Sequence, residues 1–222
     1  MNNTYNDLVQ QTFNFPQDDL KVKDNYLQFN NIDLKLLIDK YGTPLKMSFL
    51  PKIGWQINKA KKMFTDAIKK NKYEGKYNYC YCTKSSHFSF EEAIKHNIHL
   101  ETSYAYDIEI INSLYKRRKI NKDIFILCNG FKQKNYTSRI ARLINTGFRN
   151  VIPILDNKEE LNMYKRSIRT KEPFKLGIRI AAEEEPTFPF YTSRLGIKAK
   201  DVLEYSVHEI EGNEAKFTLK TL

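Results

Sequence analysis

The sequence predicts an α/β fold in which parallel strands alternate with crossover helices, and within that class a (β/α)8 TIM-type barrel. Three observations point there. First, YNYCYCTK, HLETS, DIFILCNG, NVIPILD and FKLGIRI are short and rich in apolar or β-branched residues, and a helix-like stretch separates each from the next. Second, no Gly-x-Gly-x-x-Gly follows the first of these strands, which weakens the dinucleotide-binding open sheet that the same alternation could build. Third, a complete barrel takes about 250 residues, whereas these 222 residues supply five strands and a sixth starting at AKFTLKTL. The expectation is a barrel with about its first five to six βα units present.

The elements follow in order. Residues 1–45 read as a polar N-terminal leader and linker, with a short helical piece before the turn signal Gly42, Thr43, Pro44. Residues 46–222 form the partial barrel. Pro51 suits the first turn of a helix, and Ile53, Ile57, Ala60, Phe64, Ala67 and Ile68 recur at spacings of three and four that define a buried stripe. The crossover helices fall in FSFEEAIKHN, YDIEIINSLYKRR, YTSRIARLINTG and KEELNMYKRSIR, and Gly147 stands where a C-terminal cap belongs.

Composition limits the function. Apolar residues at 41% and charged residues at 28% are ordinary globular usage, which argues against a disordered chain. The net charge of +11 raises the question of nucleic acid. Yet the lysines of INKAKKMFTDAIKKNK fill the polar positions of an amphipathic pattern and no nucleic-acid motif is present, so solvated helix faces are expected and nucleic acid is not. No apolar run approaches the roughly 20 residues that span a bilayer. The opening MNNTYNDLVQQTF has neither a basic n-region nor an apolar h-region. These features, with an odd cysteine count, predict a cytoplasmic, reducing environment and no membrane partner. Cys80, Cys82, His87 and Cys128 match no common zinc spacing, and no metal is expected.

Two strand ends carry candidate chemistry. Alternation puts Asn78, Cys80, Cys82 and Lys84 on one face of the first strand and Tyr77, Tyr79 and Tyr81 on the other. If the smaller residues face the barrel interior, Lys84 points into its mouth, where catalytic groups of such barrels sit. A partly dehydrated lysine there can attack a carbonyl and form a Schiff base; an ordinary surface lysine is the plainer alternative. The second strand ends in Glu101, Thr102 and Ser103, with Asp107 six positions after Glu101. Two carboxylates at the mouth could hold a cation or orient a donor. Capping of the next helix by Ser103, with an acidic first turn, explains the same residues equally well.

The motifs taken together resemble a family. YCYCTKSSH resembles the strand that ends in the cofactor lysine of the fold-type III pyridoxal-phosphate enzymes, the alanine-racemase-like barrels that include ornithine, diaminopimelate and arginine decarboxylases. ETSYAYD is similar to their next strand end, ILCNGFK to the third-strand turn with its lysine, and ILDNKEEL to the fourth-strand Asp before a helix. LGIRIA resembles the strand with an inward arginine, and TSRLGI the signature that follows. The six motifs stand in the family's order between residue 41 and about residue 200, and YCYCTKSSHFSF, CNGFK and RIAAEEEPTFPFYTSRLGI look closest to the arginine decarboxylase branch.

The resemblance implies pyridoxal 5'-phosphate as cofactor, Lys84 as the residue bound to it, and Glu101, Asp107 and Arg179 lining the same pocket. It implies a basic amino-acid substrate, arginine first, decarboxylated to agmatine, and a homodimer at full length. A racemase or another decarboxylase of the same fold, or a non-catalytic barrel, are the rival readings. Tyr104 departs from the family, which more often has a small residue there. The family's ring-stacking histidine, Gly-rich phosphate loop, pyridine-facing acid and C-terminal β domain have no counterpart in the 222 residues, so the chain is expected to be an N-terminal portion, inactive in decarboxylation by itself. Glu183, Glu184 and Glu185 are read as a surface loop start rather than a guanidinium site.

Overall fold

The computed structural model describes residues 19–84, 89–181 and 195–221, and the chain divides into two compact units between Phe49 and Leu50. In the first unit, strands β1 (Leu20–Lys23), β2 (Tyr26–Phe29) and β3 (Ile32–Asp33) form an antiparallel meander. Its two-residue turns are Asp24-Asn25 and Asn30-Asn31, with φ of 52°, 63°, 50° and 64°. Both positions of such a turn need the left-handed region, which Asp and Asn tolerate better than other non-glycine residues. The leader expected over residues 1–45 is therefore, from Leu20, a folded piece. Its turns lack the Asn-Gly or Asp-Gly spelling that signals a hairpin most strongly. Asp33 then caps helix α1 (Leu34–Tyr41), its Oδ1 accepting from the backbone N–H of Lys35 at 2.8 Å and of Leu36 at 3.3 Å.

The second unit opens with helix α2 (Pro51–Lys70), which has Pro in its first turn as expected. Of the expected stripe only Ile57 is fully buried, with Ile53, Ala60 and Ile68 partly so. Ile57 is 1% exposed, whereas Phe64 is 53% exposed and stacks on Tyr77 with ring centroids 4.3 Å apart. The helix packs by its first turns on helix α3 (Phe90–Ala93) and the 3-10 turn Ile94–His96. Gly54 makes that approach possible, because a Cβ there would lie 2.2 Å from Nε2 of His96.

Strands β4 (Cys80–Cys82), β5 (His99–Thr102), β6 (Ile126–Cys128), β7 (Val151–Leu155), β8 (Phe174–Ile178) and a later strand, Phe217–Thr221, form one sheet with every neighbouring pair parallel. Their order in the sheet is their order in the chain. Winding in one direction, with no reversal, is how a barrel is built, whereas a doubly wound sheet reverses at a switch point. Helices α4 (Ala105–Lys116), α5 (Lys134–Asn145) and α6 (Glu160–Ser167) make the crossovers. The short parallel pair β9 (Ile180–Ala181) and β10 (Ile197–Lys198) precedes α7 (Ala199–Tyr205), and the sixth sheet strand, Phe217–Thr221, is β11. None of the helices among the described residues is long and apolar enough to cross a membrane.

Strand alternation sorts the residues. Leu100, Ile126, Cys128, Leu155, Leu176 and Ile178 are buried in one cluster with Ile108, Ile111, Ile140, Leu143, Leu161 and Tyr164 of the helices. The other face of the sheet carries Cys82, Glu101, Leu127, Ile154, Lys175 and Arg179, all at least partly exposed. Burial, which differs among the three cysteines, sets thiol reactivity. Burial pushes the Cys128 thiol up to about 12, and burial, then the Glu101 charge, pushes Cys80 up to about 11; Cys82 is exposed. Since the thiolate is the nucleophile, Cys82 is expected to react with DTNB at pH 8 at least about 100-fold faster than the other two. Equal rates for all three in the native chain would contradict this burial pattern.

Candidate active site

The carboxyl ends of β4, β5, β6 and β8 converge on a cleft of about 660 Å³, lined among others by Lys84, Ser103, Asn129, Gly130 and Arg179. Lys84 sits two residues past β4, exposed, and makes no hydrogen bond or ion pair among the described residues. Tyr104, Tyr106 and Phe131, also exposed, add aromatic surface. A neighbouring hollow of about 430 Å³ is lined by Glu101, Leu127, Asn129, Ile154 and Arg179. Asn129 and Arg179 belong to both. Glu101 pairs in register with Cys82, two residues before Lys84, and Asn129 Nδ2 donates to Glu101 Oε1 at 3.1 Å.

Asp107 sits differently from the other candidates. It is fully buried, and its Oδ2 accepts from the N–H of Ser103 at 2.8 Å, the N–H of Tyr104 at 3.1 Å and the Thr83 hydroxyl at 2.7 Å. Asp107 thus caps α4 from its third position and ties the end of β4, beside Lys84, to the end of β5. Ser103, the expected cap, does not cap: Tyr104 takes the N-cap position with extended backbone, and the buried Ser103 Oγ has no hydrogen-bond partner among the described residues.

Arg179 extends from the end of β8. Its backbone N–H donates to Leu155 O at 2.9 Å, and its carbonyl accepts from the N–H of Ile197 at 2.7 Å. Gly196, at φ 101°, lets β10 come this close, since a Cβ would stand 2.8 Å from Arg179 O and from Ala181 N. The guanidinium Nη1 lies 3.5 Å from Oδ1 of Asp156. Beneath, Lys132 is buried with its Nζ 2.7 Å from Gly130 O and 3.1 Å from Glu160 Oε2, and it also donates to Ile154 O. Burial raises the Glu160 carboxyl above its ordinary range, against the opposing pull of Lys132 and two backbone donors. Asp156 and Glu160 stood inside the quoted motif ILDNKEEL and Lys132 inside CNGFK, but nothing local in the sequence joins Asp156 to Arg179 or Lys132 to Glu160. His87, Glu183, Glu184 and Glu185 lie outside the described residues.

No protein-family model matches the chain. Among curated proteins, biosynthetic arginine decarboxylases of Geobacter sp. strain M21 and of Citrifermentans bemidjiense are each 24% identical over 208 residues, which cover 86% of this chain and 32% of theirs. Among solved structures, diaminopimelate decarboxylase from M. jannaschii in complex with L-lysine superposes with a TM-score of 0.70 at 15% identity, over 92% of this chain and 46% of that one. A second structure of that enzyme gives 0.66 at 17%. The chain thus spans about a third of the length of the curated relatives it matches. Its fold is a partial barrel of the kind those decarboxylases contain, and the resemblance to arginine and diaminopimelate decarboxylases seen in its motifs is borne out.

Proposed function

We propose that this chain is part of a pyridoxal-phosphate-dependent decarboxylase of a basic amino acid, with arginine as the substrate, and that Lys84 holds the cofactor. The observation that carries the reading is an exposed lysine just past β4, without a hydrogen bond or ion pair among the described residues, opening into the cleft it shares with Arg179 and Asn129. The residues suit the group. An aldehyde needs an accessible amine, which Lys84 offers; a flat pyridine ring needs planar or apolar walls, which Tyr104, Tyr106 and Phe131 offer; an anionic ligand needs a fixed cation, which Arg179 offers.

When bound, the cofactor supplies the electron sink for loss of the substrate carboxylate. The chain's own part is placement. Asp107, through Thr83, fixes the strand end that carries Lys84. Glu101, oriented by Asn129, offers a carboxylate in the hollow next to the cleft, where it can accept a hydrogen bond or balance a positive charge. The arginine assignment is supported by the curated relatives. A homodimer and a cytoplasmic address belong to the same reading.

The test is chemical. The protein is incubated with pyridoxal 5'-phosphate, reduced with borohydride, digested and mapped. The expected result is a label predominantly on Lys84, absent after Lys84→Ala; label spread evenly over surface lysines would overturn the assignment. By itself the chain is expected to release no carbon dioxide; measured on the chain extended to the length that its relatives span, release from arginine, ornithine and diaminopimelate ranks the substrates, and release from either of the latter alone would move the specificity away from arginine.

A further inference from the structure

Asp156 is the least satisfied charged group among the described residues. Its side chain is 2% exposed and neither carboxylate oxygen receives a hydrogen bond there. A buried carboxylate without donors is expensive unless a counter-charge is held against it. The Arg179 guanidinium, 36% exposed, supplies that charge at 3.5 Å while its other side faces the cleft. Asp156 is itself held from below, because its backbone N–H donates to Glu160 Oε2 at 3.3 Å, the oxygen that Lys132 Nζ also contacts. Two ion pairs, Lys132 with Glu160 and Asp156 with Arg179, are thus joined through the Asp156 backbone N–H, and of these four residues Arg179 lines the cleft.

We propose that Asp156 is a positioning residue. Its buried carboxylate aims the Arg179 guanidinium into the cleft, where it receives an oxyanion of the bound ligand. An ion pair without direct hydrogen bonds on the carboxylate side leaves the guanidinium N–H donors free for that ligand, which a tight bidentate pair would not. The oxyanion part rests on the functional reading above; the positioning part does not.

The test is modification of Arg179 by phenylglyoxal, followed peptide by peptide, with Arg149, which is exposed and paired with Asp123, as internal reference. In Asp156→Asn, Arg179 is expected to react about fivefold faster, the scale of a lost partly exposed ion pair, with Arg149 unchanged. Asp156→Ala, which also removes the buried polar atoms, serves if the Asn variant does not fold. Equal Arg179 rates in parent and variant would overturn the positioning role.

The ligand arm compares protection of Arg179 in the parent by pyridoxal 5'-phosphate against pyridoxal, and by arginine against agmatine, which lacks the carboxylate. Protection by one oxyanion-bearing member and not by its partner, lost in the variant, supports the proposal and identifies phosphate or carboxylate. Protection by neither would overturn the oxyanion role. If Lys84 takes no label while Arg179 still accelerates in Asp156→Asn, the cofactor reading fails and the positioning role stands.

Discussion

Replacing Glu160 by Gln is expected to destabilise the fold by about 3–5 kcal/mol, the usual consequence of leaving a buried charge without its partner. The charge left behind is Lys132, whose side chain has no exposed surface and whose Nζ is enclosed by Gly130 O, Ile154 O and Glu160. The glutamine keeps the shape and part of the hydrogen bonding but removes the compensating charge. The double variant Lys132→Met/Glu160→Leu is expected to recover only part of the loss, because it removes the desolvation penalty of the charges along with their attraction but orphans the backbone N–H groups of Lys132 and Asp156 that Glu160 accepts. Urea unfolding followed by circular dichroism measures both. A single variant within 1 kcal/mol of the parent would show that water reaches Lys132.

Asp107→Ala is expected to be nearly as severe, about 3–4 kcal/mol, for a different reason. Three donors converge on one carboxylate oxygen, two of them backbone N–H groups at the start of α4. Each loses a charge-assisted bond of about 1.5–3 kcal/mol, and the losses overlap because one group serves all three. Asp107→Asn retains an acceptor at the same place and is expected to lose less than half as much. Thermal unfolding of the two variants separates acceptor from charge. Equal loss in both would mean that the negative charge beside the helix N-terminus, rather than the three bonds, holds this turn. Because Thr83 precedes Lys84, Asp107→Ala is also expected to slow capture of pyridoxal phosphate at Lys84.

Both variants concern residues whose roles local sequence left open. Asp107 stood three to four residues after Ser103 and Tyr104 at a strand–helix junction, a spacing compatible with a site acid or a helix cap. The fold makes it a cap by burying it against Thr83 of the preceding strand. Ser103 was the better cap by residue type, yet the backbone turn assigned that position to Tyr104. The second half of α2 repeats the apolar spacing of its first half but remains mostly exposed, since periodicity reports a stripe and not the length of the surface it meets.

Local pattern was enough for the strands, the helices between them, and the sheet face that Cys82 and Glu101 share. Side chains alternate along any strand, and adjacent βα units of one kind repeat one geometry. Strand order, the pairing of Asn129 with Glu101 and the two joined ion pairs of Lys132, Glu160, Asp156 and Arg179 were decided only in three dimensions. Each depends on the register between neighbouring strands, which brings together residues 22 to 28 positions apart along the chain and which no single segment encodes.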